Sequence, residues 1–153
     1  MRLVLISDSH GNSQGVDKIF QTLKFDYLFF MGDGLSDLGN YEYLDNVIKV
    51  SGNCDFFSRE VNERILEIGG YNFLITHGNK YGVKLGIGKL VEYAKNKNVQ
   101  FVFYGHTHIQ RIEQIDNIYF INPGKFAKNR EGESCGLIID IVKEDVKISE
   151  FKV

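Results

Sequence analysis

No stretch of this 153-residue chain stays apolar for the roughly 20 residues that a bilayer-crossing helix needs, so no membrane association is expected. The apolar start, Met1 to Ile6, gives way at once to Ser7-Asp8, too short a run for a secretory signal. Cysteine is scarce. Cys54 and Cys135 are far apart, so they allow one long-range disulfide at most, and two thiols in a reducing cytoplasm is the plainer expectation. An excess of either charge is also missing: 18 Lys and Arg face 20 Asp and Glu, a net charge of −2. That balance argues against a protein that coats DNA or RNA, and no stable nucleic acid complex is expected. It leaves room for a small anionic substrate held by bound metal. Repeats, linkers and low-complexity segments are absent, and the whole of 1–153 reads as a single domain in the cytoplasm.

Apolar residues are plentiful. They make up 43% of the chain against 25% charged, which excludes an intrinsically disordered protein. Leu3–Ile6, Tyr27–Met31, Val47–Val50 and Phe101–Tyr104 are short apolar runs bounded by polar residues, the pattern of buried strands. Between the first two, Val16, Ile19, Phe20 and Leu23 recur at helical spacing behind Ser13, a candidate cap. Strand and helix alternate there as in βαβ units with a mainly parallel sheet. A short helix or turn over Leu35–Leu44 and a helix over Ile87–Asn96 follow from similar patterns. Hairpins are predicted for 64–68 with 71–76 across Gly69-Gly70, for 109–115 with 118–121 across Asp116-Asn117, and for 137–142 with 146–151. Pro123, the only proline, opens a loop running to about Gly132. The expected class is α/β, with two sheets sandwiched between helices.

Five of the predicted strands run into polar loops: Asp8/His10, Asp33, Asn53, His77 and His106/His108. In α/β folds ligands sit at the carboxyl ends of parallel strands, so these loops are expected to converge. All four histidines lie in such loops, each close to a glycine. Asp8-Ser9-His10 and His106-Thr107-His108 share an i, i+2 spacing that puts two donors on one side of an extended segment. Three oxygen donors and four imidazoles suit Mn²⁺, Fe²⁺, Zn²⁺, Co²⁺ or Ni²⁺ better than Mg²⁺ or Ca²⁺. Seven residues are too many for one ion and about right for two ions that share a carboxylate. Two divalent ions less Asp8 and Asp33 leave a charge of about +2, which a hydroxide and a phosphate ester would neutralise.

The series D-S-H (8–10), G-D (32–33), G-N-C-D (52–55), H-G (77–78) and G-H-T-H (105–108) resembles the calcineurin-like metallophosphoesterase superfamily. The short chain and N-P-G (122–124) are similar to its small bacterial and archaeal phosphodiesterase branch. The resemblance implies a four-layer α/β-β/α sandwich with two mixed β-sheets flanked by helices. It implies two divalent transition-metal ions, Mn²⁺ foremost, with Asp8, His10, Asp33 and His108 on the first. Asp33, Asn53, His77 and His106 would hold the second, with Asp33 bridging. Asp33, Asn53 and His77 would thereby serve catalysis, a metal-bridging hydroxide attacking phosphorus of a small phosphoester, most readily a diester. Many members carry His where this chain has Cys54, and a packed, inert thiol is the preferred reading over a proton donor. Asp55 is either an acceptor behind a ligand imidazole or a loop cap. Asn12 and Arg130 are candidate phosphate contacts, and Lys125 reads as a surface charge. Phe56-Phe57 is compatible with a pocket for an organic leaving group, with core packing or with a subunit contact. Phosphomonoesters and a protein-interaction scaffold that keeps the fold are the alternatives, and pairing into a homo-oligomer is open.

Overall fold

The computed structural model describes residues 1–153. Strands β1 (Arg2–Ile6), β2 (Tyr27–Phe30), β3 (Val47–Lys49), β9 (Cys135–Val142) and β10 (Asp145–Lys152) form one sheet, in the order β10-β9-β1-β2-β3. Strands β4 (Glu63–Ile68), β5 (Tyr71–Thr76), β6 (Phe101–Phe103), β7 (Gln110–Ile115) and β8 (Ile118–Pro123) form the other, in the order β4-β5-β6-β8-β7. Both sheets are mixed: β1-β2-β3 and β5-β6-β8 run parallel, and hairpin partners add antiparallel strands. The first sheet is therefore less parallel than its βαβ opening suggested, because the C-terminal hairpin β9-β10 returns to pair beside β1.

Strand alternation builds the layers. Leu3 and Leu5 of β1 face the other sheet, where they meet the side of β6 that carries Phe101 and Phe103. Val4 and Ile6 face outward against helix α1 (Ser13–Thr22) and the 3-10 segment Leu35–Tyr43. Val102 and Tyr104 face outward against helix α2 (Gly88–Lys95). The result is helix, sheet, sheet, helix, with the core between the sheets dominated by aromatics. Phe29 meets Phe103 edge-on at 5.0 Å across it, and Phe73 stacks on Phe101 at 5.2 Å.

Local chemistry explains the turns. Gly69 and Gly70 have φ of 59° and 83°, and Asp116 and Asn117 have 49° and 65°, the left-handed pairs that two-residue hairpin loops require. Pro123 closes β8 opposite Gln110 instead of opening the loop, since a terminal strand position tolerates its missing N–H. Both cysteines are free thiols, and no helix is long and apolar enough to cross a membrane.

The cap of α1 is Asn12, not Ser13. Its Oδ1 accepts from Gly15 N at 3.1 Å. Its Nδ2 donates to Phe126 O at 2.8 Å and Ser134 Oγ at 2.7 Å, which ties the loop between β8 and β9 to the start of the helix. Asn12 is buried, and this use of both amide protons removes it as a phosphate donor. Replacing a cap and two buried hydrogen bonds costs about 2–3 kcal/mol. Asn12→Ala should lower stability by that amount in urea titration, and a loss under 0.5 kcal/mol, roughly the level of an ordinary surface change, would show the amide to be idle.

Candidate metal centre

The predicted loops do converge. Two groups form, one of Asp8, His10 and His108 and the other of Asp33, His77 and His106, each with its donor atoms within 4.8 Å of one another. Within the first, Asp8 Oδ1 lies 3.2 Å from His108 Nε2 and 3.9 Å from His10 Nε2, and the two ring nitrogens are 3.3 Å apart. Within the second, His77 Nε2 lies 3.4 Å from Asp33 Oδ2 and 3.2 Å from His106 Nδ1.

The donors are aimed by the backbone. Five of the nine non-glycine residues with positive φ are Asp8, His10, Asp33, His106 and His108, with φ between 44° and 67°. The other four, Asn98, Asp116, Asn117 and Lys143, stand outside the polar loops. A left-handed residue costs energy for any side chain with a Cβ, so five at one place mark a geometry imposed by the surroundings. The surroundings are hydrogen bonds. Asp37, buried, accepts from Ser9 Oγ at 2.5 Å, Gly11 N at 2.8 Å and Asn12 N at 3.1 Å, and so holds the His10 loop. Asp55 accepts four backbone N–H groups, from Asp33, Gly34, Leu35 and Gly52, at 2.8–2.9 Å. Asn122 donates to Gly105 O and Thr107 Oγ1 and holds the His106–His108 loop. Gly105 approaches Ser7 so closely that a Cβ there would strike its hydroxyl.

Protonation is also prepared. His77 is fully buried, and its Nδ1 donates to Met31 O at 2.6 Å, which leaves Nε2 a lone pair pointing into the second group. Burial lowers the pKa of His106, reinforced by His77 and Lys84. Burial is also the main cause lowering that of His108, with His10, Lys125 and Lys84 adding to it against the pull of Asp8. Neutral imidazoles at neutral pH are metal-ready ligands. Cys54 is exposed, not packed as expected, because the turn after Gly52 carries it to the surface; its thiol is nonetheless raised, first by its hydrogen bond to the Asp33 carboxylate and then by partial desolvation, so it stays protonated.

Asp8 provides the fit test. It is fully buried, its Oδ2 accepts from Ser7 Oγ at 2.6 Å and His106 N at 3.0 Å, and its Oδ1 has no hydrogen-bond partner. A buried carboxylate oxygen left unpaired beside two imidazoles suits a cation, and two mixed nitrogen and oxygen groups suit two divalent ions.

Other residues fall differently. Asp55 is a cap on the Asp33 loop, and its hydrogen bonds go to backbone N–H groups and not to an imidazole. Asn53 stands exposed on the neighbouring turn, with Nδ2 3.4 Å from Cys54 Sγ, while Cys54 N donates to Asp33 Oδ1 at 2.7 Å. Arg130 is exposed in the β8–β9 loop. Lys125, though exposed, acts on His108 through its charge. Sequence reasoning missed Asp37, Asn122 as a clamp, and Lys84. Asp37 holds partners 25–28 residues away, a separation that leaves no local signal.

The two lowered imidazoles carry a pH consequence. A His held below its ordinary 6.5 stabilises the fold above that value and loses this contribution as pH falls through it. The urea midpoint of the metal-free protein should therefore fall between pH 7.5 and 5.5, and fall less in the His106→Asn/His108→Asn variant. Equal declines in both proteins would exclude these groups as the cause.

Comparisons with known proteins agree with this geometry. A profile of the calcineurin-like phosphoesterase superfamily domain matches residues 1–144. The probable metallophosphoesterase YsnB of Bacillus subtilis is 28% identical over 141 residues, 90% of this chain and 83% of that protein. The phosphodiesterase MJ0936 of Methanocaldococcus jannaschii is 28% identical over 167 residues, 96% of this chain and 97% of its own. A solved structure of a conserved Streptococcus pneumoniae protein, described as a predicted phosphoesterase, superimposes with a TM-score of 0.84 at 26% identity, over 97% of this chain and 87% of that one. Zinc-bound Vps29 of Entamoeba histolytica, at 18% identity over 99% of each chain and a TM-score of 0.72, shares the fold alone. With a profile match across most of its length laid over these converging ligand loops, the chain belongs to the calcineurin-like phosphoesterase superfamily.

Proposed function

We propose that the protein is a dinuclear metal-dependent phosphoesterase of the cytoplasm that cleaves phosphodiesters. The pair of histidine–carboxylate groups, one with a buried oxygen lacking a partner, carries this reading. Asp8, His10 and His108 would hold one ion and His77, His106 and Asn53 the other, with Asp33 available to both. When bound, two divalent ions would acidify a water and neutralise charge on the phosphoryl oxygens, a role in which Mn²⁺ is preferred and Ni²⁺, Co²⁺, Fe²⁺ or Zn²⁺ would serve.

The chain's own residues do the rest. Asp55 holds the Asp33 backbone by accepting its N–H, and Cys54 N donates to the Asp33 carboxylate. His77 is locked in one tautomer by Met31 O. Lys84 and Lys125 add positive charge near the imidazoles, which favours a small anionic phosphoester over a neutral ligand. The relatives' names favour diesters over monoesters. A scaffold role would need none of the strained donors, and all four histidines are kept in place.

Stripping the protein with chelator and adding back Mn²⁺ should restore hydrolysis of an activated phosphodiester above that of the matching monoester. Asp33→Asn should lose both ions and the activity; a variant that retains two ions at normal affinity would refute the shared carboxylate. Failure with Mn²⁺ and then with each of the other four metals would point to the scaffold. A second variant addresses the thiol. Cys54→Ala should keep activity on an activated ester within about a hundredfold, the scale of general-acid catalysis, and a larger loss would place the thiol in proton transfer.

A further inference from the structure

A cleft of about 480 Å³ opens beside the His106–His108 loop, between that loop and a 3-10 turn at Val83–Leu85. Tyr104, Thr107, Ile109 and Arg111 line it from one side, Lys84 and Leu85 from the other. Thr107 lies between His106 and His108, which belong to separate metal groups, so the cleft adjoins the loop that carries both, and Lys84 is near enough for its charge to act on both imidazoles. The turn presents side chains to the cleft. Gly82 and Gly86, with φ of 64° and 132°, bend the chain at its two ends. Val83 is buried, and Gly78, next to His77, leaves room for it: a Cβ on Gly78 would come within 2.9 Å of Val83 Cγ2. Lys84 and Leu85 are thereby pushed outward, Leu85 to 98% exposure, with Ile109 facing solvent at 69%. Two exposed aliphatic side chains at the rim of one cleft favour contact with an organic group.

The charges in the cleft are not balanced. Arg111 is held by Glu113 through Nε–Oε1 at 2.6 Å and Nη2–Oε2 at 3.0 Å. Lys84 has no carboxylate within 4 Å and donates no hydrogen bond, whereas Lys80 on the preceding turn is within 3.9 Å of Glu63. An unpaired ammonium beside an apolar rim is a recognition pattern for a ligand that is organic and carries negative charge.

We propose that this cleft receives one of the two ester substituents of the substrate, and that Lys84 makes it selective for a substituent bearing its own negative charge. The proposal rests on the phosphoesterase reading and adds the substrate class: a diester anionic beyond its scissile phosphate, such as a phosphorylated or carboxylated alcohol would form. Lys84 is a specificity residue in this scheme and acts away from the reacting phosphorus.

Three p-nitrophenyl diesters of one shape test it, their second substituent being phenyl, 4-carboxyphenyl or 4-trimethylammoniophenyl. The Mn²⁺-loaded enzyme should prefer the carboxylate over the phenyl by roughly tenfold in kcat/KM, the scale of one charge-assisted hydrogen bond. The cationic compound should rank last. Lys84→Met should collapse this ranking, and Lys84→Glu should reverse it. No charge preference in the unaltered enzyme, or a Lys84→Met loss equal on all three, would overturn the subsite; the equal loss would place Lys84 on the scissile phosphate. The methyl analogues of the same diesters, titrated calorimetrically into the metal-loaded protein, read the preference without turnover. Charge-ranked binding with no hydrolysis would leave the subsite standing and sink the catalytic reading. Hydrolysis without ranking would do the opposite.

Discussion

Two carboxylates, Asp8 and Asp33, are buried at the ends of adjacent parallel strands, and the rest of the structure accommodates that fact. A buried charge is costly unless it is paired and hydrogen-bonded. Each aspartate has one oxygen committed to the protein: Asp8 Oδ2 to Ser7 and His106 N, Asp33 Oδ1 to Cys54 N. The other oxygen of each faces imidazole nitrogens, His108 Nε2 beside Asp8 and His77 Nε2 beside Asp33. Four imidazoles and two buried carboxylates gathered this way form a donor set that a cation answers. The left-handed backbone at Asp8, His10, Asp33, His106 and His108 is strain accepted to make that gathering possible.

What holds the strain is a second set of polar side chains behind the donors. Asp37, Asp55 and Asn122 bond to backbone N–H and C=O groups of the ligand loops and touch no donor side chain. The loops come from both sheets, so the site exists only where the sheets face each other. The aromatic core between Phe29, Phe73, Phe101 and Phe103 sets that facing and puts the carboxyl ends of β1, β2, β5 and β6 at one edge. Packing between the sheets and chemistry at their rim are thus one problem. A change that slid one sheet on the other would separate His77 and His106 from Asp33.

Much of this was legible in the sequence because it is written in local patterns. Short apolar runs at Leu3–Ile6 and Phe101–Tyr104 announced buried strands, and the glycine and Asp-Asn pairs announced hairpins. The donors were legible because each follows a strand in a polar loop, and a strand end is a defined place in an α/β fold. The less legible parts depend on distant partners. Asn12 looked like a phosphate contact because it sits beside His10, yet its partners, Phe126 and Ser134, are more than a hundred residues away. Phe56-Phe57 left core packing open, and the structure exposes both rings, at 81% and 101%. Lys84 was one lysine among many until the Gly82–Gly86 turn set it across a cleft from Thr107.

The sequence by itself determined which elements form, which residues are the metal-type donors and which family their order and spacing resemble, because these rest on neighbours within a few positions. Tertiary structure decided the distances within the two donor groups that the resemblance implied, which polar residues hold loops instead of ligands, and where Lys84 stands. Those are distances between atoms brought together from opposite ends of the chain, and only the packing of two sheets sets them.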